Sequence, residues 1–249
     1  MLKGTLNNVD AERRLNEVRR SGNSADFTLA YAERLALAMI NVTGTNDKEA
    51  LRMSTHTLTT ARQRGKIAPI RFAHAVLQTN KLSRMLEWYQ TVLEAEVQFK
   101  NEMLAFLTYD EEHHRLALVA RPGTIDRVPN AAGLAHLAYA YADLSELVAT
   151  YERLKAAGIV PVRTINHGPT TSMYYADPDG NQVELQVDNF DTPEECHAWF
   201  FRPEFAQNPI GILFDPEDLV AKFHAGVPVT QLQQIGFLHY EGQEPRGAR

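Results

Sequence analysis

A chain of 249 residues, 44% hydrophobic and 22% charged, is globular in composition and long enough to bury one substantial core or two small ones. A net charge of −6 argues against a nucleic-acid partner, which draws on a basic patch, and no run approaches the ~20 apolar residues of a membrane span. The single cysteine, Cys196, rules out a disulfide within the chain, and the polar start lacks the apolar run of a signal peptide, so a cytoplasmic setting is expected.

Residues 1–66 read as a helical N-terminal arm without chemistry. Asp10 to Arg20 is charged and suits a surface helix. Phe27, Tyr31, Leu35 and Met39 recur every four residues, an apolar stripe of helical period that Ser24 or Asp26 would cap. A third helix is expected from Asn46-Asp47 to Arg64, weakened by Thr57, Thr59 and Thr60. His56 stands alone there and reads as structural or exposed. The arm is expected to pack on the rest of the chain or on a second subunit. A homo-oligomer is expected.

From Ile70 the pattern becomes strand, helix, then three strands. The first strand carries His74. A helix from Lys81 to Leu93 aligns Leu82, Met85, Leu86, Tyr89 and Leu93. Strands follow at Glu96–Lys100, Leu104–Tyr109 and His114–Ala120. The same order then repeats. Leu134–Tyr141 is a strand with His136. Asp143–Ala157 is a helix opened by an Asp143–Glu146 capping box and stopped by Gly158. Strands follow at Ile159–Ile165, Ser172–Ala176 and Gln182–Val187. This gives an α+β domain over residues 67–188, built from two βαβββ units, 70–121 and 133–188. Residues 189–249 form a C-terminal extension. Its helices start at Thr192-Pro193-Glu194-Glu195 and at Asp215-Pro216. Cys196 and His197 read as structural, and the apolar tail is expected to roof the domain or to form a subunit contact.

The chemistry gathers near one hairpin. Asp177-Pro178-Asp179-Gly180 is a tight turn between strands, with Pro178 presetting φ and Gly180 tolerating the left-handed end. Val183, Leu185 and Val187 share one face of the last strand, which leaves Glu184 on the other. A His in mid-strand at His74 and His136, together with Glu184, supplies the ingredients of a two-histidine, one-carboxylate metal site. In the first unit the strand matching that of Glu184 is apolar in its middle. The set therefore stops at three protein ligands and leaves open positions.

The hairpin His167, Met173-Tyr174, Asp177-Pro178-Asp179-Gly180, Glu184 resembles the signature of type I extradiol ring-cleavage dioxygenases of the vicinal oxygen chelate (glyoxalase/bleomycin resistance-like) superfamily. The resemblance covers about Ile70 to Asp188, with a looser likeness at Asn208-Pro209-Ile210-Gly211 and Asp215-Pro216. It implies a cupped sheet around Fe(II), or Mn(II), held by His74, His136 and Glu184. It implies cleavage of a catechol-type substrate beside the diol, with both atoms of O₂ incorporated. His114, the second of a His113-His114 pair, would be the acid–base residue, a task its near-neutral pKa suits. Tyr174 would hydrogen-bond the catecholate, and His167 would donate to bound oxygen or an intermediate. His113 would point to the opposite face. The chain departs from larger members in having the helical arm where they carry an extra pair of units, and in lacking an acidic residue just after His167. Two alternatives remain: a metal-dependent lyase or isomerase of the same fold, and a non-enzymatic protein that binds an aromatic ligand in the cup.

Overall fold

A computed structural model describes residues 59–128 and 131–240. The first two predicted helices and His56 lie outside these residues. Of the third predicted helix only residues 59–64 are described, and residues 61–65 form turns. The described residues divide into two compact bodies, 59–64 with 192–207, and 65–191 with 208–240. Among them no helix is long and apolar enough to cross a membrane.

The smaller body carries two short helices, Pro193–Trp199 and Pro203–Gln207. The Thr192 hydroxyl accepts from the Glu195 amide and donates to its carboxylate, the cap its sequence announces. Phe200 meets Phe205 edge to face, and Arg202 lies 5.1 Å from the Trp199 ring centre.

The larger body is a repeated unit. Its first half contains β1 (Ala75–Gln78), α1 (Leu82–Leu93), β2 (Glu96–Lys100), β3 (Leu104–Thr108) and β4 (Leu116–Val119). The strands lie in the order β1-β4-β3-β2, and β1 runs parallel to β4. The second half contains β5 (His136–Ala140), α2 (Leu144–Ala156), β6 (Arg163–Asn166), β7 (Thr170–Ala176) and β8 (Gln182–Asp188). Its order, β5-β8-β7-β6, and its parallel β5–β8 pair reproduce those of the first half. β6 begins four residues later than its sequence suggests. Pro161 cannot donate to a ladder, and Val160 and Val162 are left exposed.

Asp143 accepts from the Ser145 and Glu146 amides at the start of α2, while Glu146 reaches back to the Ala142 amide, one residue earlier than the expected box. The tail adds what its sequence did not announce, a two-residue strand β9 (Ile212–Leu213) on the free edge of β6. Two helices follow, Pro216–His224 and Val229–Leu232.

A single apolar cluster joins both halves and the tail. It includes Met85, Tyr89, Leu107 and Leu118, then Leu147, Met173 and Leu185, then Phe214, Leu219 and Leu232. Polar contacts tie the halves directly. The Tyr89 hydroxyl donates to the buried Asp177 carboxylate at 3.0 Å, and Lys81 bridges Asp179 at 3.0 Å. The same Asp177 accepts from the Asp179 and Asn181 amides and from the Asn181 side chain, so it also shapes the hairpin turn.

Candidate active site

Strand alternation puts the chemistry on one face of the second sheet. Val183, Leu185, Met173 and Tyr175 point into the apolar core. The residues between them, Glu184 on β8 and Tyr174 on β7, point the other way. The register aligns Ala138, Glu184, Tyr174 and Arg163 in one row across four strands. Glu184 is only 4% exposed although it faces away from the core. A buried carboxylate is costly unless it is partnered.

Its partners are imidazoles. His136, at the start of β5, brings Nε2 to 2.9 Å from Glu184 Oε2. His167, just past β6, places Nε2 at 3.9 Å from Glu184 Oε1 and 2.9 Å from the Tyr174 hydroxyl. The other ring nitrogen of His167, Nδ1, lies 2.5 Å from the carbonyl oxygen of Ile210. Burial lowers the pKa of His167 from its ordinary value. Burial, and then the Glu184 carboxylate, push the Tyr174 phenol above its own, against the opposing pull of Arg163. The Arg163 guanidinium stacks 4.4 Å from the Tyr174 ring centre.

The first half holds the other two predicted residues. His74 is exposed, one residue ahead of β1, with its ring 4.3 Å from that of His114. His114 precedes β4 and stacks on Phe106 at 4.7 Å. Its pKa is lowered, by burial first and then by His74. His113 does not turn to the opposite side as its place in an alternating strand suggests. Its Nδ1 lies 2.6 Å from that of His114, because both residues sit ahead of β4 where no ladder enforces alternation.

The structure thus brings together His136, Glu184, His167 and Tyr174, and separately His74 with His114. Among the described residues no group of three or more His, Cys, Asp or Glu side chains is gathered tightly enough to hold a metal ion. The chemistry of the converging donors, an imidazole nitrogen beside a buried carboxylate, nevertheless fits a divalent transition metal. The ladder also identifies the fourth symmetric position. His136 pairs with Gln182, two residues before Glu184; Ala75 pairs with Leu116, so the place opposite residue 74 is 115 and two further is Ala117. Ala117 is buried and brings no donor.

Comparison with known proteins gives this arrangement its relatives. The profile of the Glyoxalase/Bleomycin resistance protein/Dioxygenase superfamily matches residues 71–185. The chain is 49% identical over 163 residues to biphenyl-2,3-diol 1,2-dioxygenase 2 of Rhodococcus globerulus, which covers 65% of this chain and 86% of that protein. It is 31% identical over 116 residues to catechol-2,3-dioxygenase of Bacillus subtilis (strain 168), covering 46% of this chain and 40% of that one. Among solved structures, lactoylglutathione lyase from Agrobacterium tumefaciens superposes with a TM-score of 0.40 at 23% identity, covering 48% of this chain and 94% of that one. The chain belongs to the glyoxalase/bleomycin resistance protein/dioxygenase superfamily. Within it, the chain groups with the extradiol ring-cleavage dioxygenases.

Proposed function

We infer that the chain is an extradiol dioxygenase that cleaves a catechol-type diol with O₂, using a metal held by His74, His136 and Glu184. The observation that carries this reading is the buried Glu184 carboxylate between His136 and His167 on a face turned away from the core. His74 joins the set by symmetry, since it precedes β1 where His136 begins β5. Fe(II) suits these hard and borderline donors, and Mn(II) accepts the same set. Once bound, the metal supplies the electron transfer that allows O₂ to react with an aromatic ring.

The chain's own residues handle charge and protons. The diol must lose a proton to bind as an anion. Tyr174, next to that anion, is kept in its neutral phenol form by its raised pKa and remains a hydrogen-bond donor. His114, with its lowered pKa, is neutral near pH 7 and is able to take up the diol proton and later return it. Both oxygen atoms enter the product, a ring-opened semialdehyde or keto acid. Ala117 in the fourth position leaves room for substrate and O₂, and so counts against a lyase or isomerase with a closed ligand set.

The identities at hand favour a biphenyl-type diol as the first substrate to try. The exposed apolar side chains of Ile70, Phe72 and Val76 support the expected homo-oligomer. The test is oxygen uptake by anaerobically purified protein reloaded with Fe(II) and offered biphenyl-2,3-diol and monocyclic catechols. Stoichiometric uptake with a yellow ring-opened product is expected. Iron-loaded protein that consumes no oxygen with any catechol would overturn the reading.

A further inference from the structure

We propose that the tail segment Asn208–Leu213 is a positioning device that fixes the ring orientation and tautomer of His167. The inference rests on the dioxygenase reading for its catalytic meaning, and on geometry alone for its structural content.

The argument starts from donor and acceptor inventory. A backbone carbonyl only accepts. With His167 Nδ1 beside the Ile210 oxygen, Nδ1 carries the proton. In the neutral ring Nε2 then holds a lone pair. The Tyr174 hydroxyl lies 2.9 Å from that lone pair and also hydrogen-bonds the Glu184 carboxylate. The result is a ring whose tail-facing nitrogen donates to the Ile210 carbonyl while its site-facing nitrogen accepts. Neutral His167 in this state accepts a proton from its site-facing side and cannot donate one to a bound oxygen. The donor role expected from the sequence resemblance becomes available only after His167 has been protonated.

The tail is built to hold that carbonyl in place. β9 pairs with β6, joining Ile212 to Asn166 and Leu213 to Ile165. The Asn208 side chain brackets the turn, accepting from the Ile210 and Gly211 amides and donating to the Gly211 carbonyl. Gly211 sits at φ +102°, in the region that favours glycine. A Cβ there would lie 2.3 Å from the Asn166 carbonyl oxygen and 2.6 Å from His167 Cα, both backbone atoms. Only glycine lets the tail lie this close to the strand end that carries His167. The other flank is also fixed: Asn166 donates to the Gln233 carbonyl and accepts from the Gly168 amide.

The deciding measurement is the tautomer. Protein labelled with ¹⁵N-histidine would be recorded by two-bond ¹H–¹⁵N correlation, metal-free and then with diamagnetic Zn(II), with His167 assigned through His167→Phe. The wild-type ring is expected as the Nδ1–H form in both. Gly211→Ala and the milder Asn208→Ala are expected to lose that preference and to lower kcat about 10- to 100-fold with KM within about twofold. A wild-type His167 in the Nε2–H form would overturn the proposal, whether or not the protein folds with alanine at 211. So would a variant whose kcat falls while its His167 tautomer is unchanged. Because the tautomer is read without turnover, failure of the dioxygenase reading leaves this test intact.

Discussion

Two variants at residue scale separate holding a metal from moving a proton. Glu184→Ala removes the one carboxylate among the converging donors, so both bound iron and oxygen uptake are expected to disappear. His114→Ala should keep the iron and lose turnover by at least about 100-fold, the usual size of a general acid–base contribution. Iron content by mass spectrometry beside the uptake rate tells the two apart; normal turnover by His114→Ala would remove that residue from the reaction. A third variant concerns stability. Tyr89→Phe deletes the hydroxyl that donates to buried Asp177. It is expected to cost about 2 kcal/mol, read from denaturant unfolding, because a charge-assisted bond between buried groups is lost. The side chains that converge on Glu184 were largely legible from residue type and alternation, since Glu184 opposite an apolar face and His136 in a strand stand out in one dimension. Arg163 and the Ile210 carbonyl were not. Arg163 acquires its meaning only when β6 is paired with β7, and a backbone oxygen leaves no trace in a side-chain pattern.

Elements whose ends are marked by local chemistry were read almost to the residue. α2, the helix at Pro193 and the helix at Pro216 all begin behind a side-chain cap named in the sequence. β9 escaped because two residues carry no period; only the pairing with β6 makes them a strand. The helix Pro216–His224 supplies a prediction of its own. Glu217 at its first turn accepts from Lys155 and from the Tyr151 hydroxyl on α2, and these bonds, Lys155 first, lower its carboxyl pKa below the ordinary 4.5. A carboxyl depressed on folding stabilises above the unfolded value and loses that contribution as pH falls through the folded one. Tm is therefore expected to fall as pH drops below about 4.5, and Glu217→Gln should lower Tm at pH ~6 while flattening that fall. Equal slopes for the two proteins would show that the contact carries no linked proton.

For the larger body as a whole, the decisive fact is that two halves and a tail share one core. Phe214, 1% exposed, belongs to the tail yet packs in the same cluster as Leu107 and Leu185. Phe214→Ala is expected to cost about 3–5 kcal/mol by thermal or denaturant unfolding, and a cost below about 1 kcal/mol would mean that the tail is peripheral. The repeat of strand, helix and three strands was visible in sequence because each half carries its own periodicities. That the tail completes the second sheet was not, since the contacts responsible join residues some fifty positions apart, as in the pairing of Ile165 with Leu213.

The Asp177 turn carries one more implication. The bonds from Tyr89 to Asp177, from Lys81 to Asp179 and from Arg153 to the carbonyls of Thr91 and Val92 stitch one repeat to the other, and the linking segment joins in through Asp126 on Asn80 and Lys81 and Arg127 on the Gly180 carbonyl. A hairpin tip that marks the family by its sequence works here as a latch between the two halves, so that neither can shift against the other without breaking the turn's own hydrogen bonds.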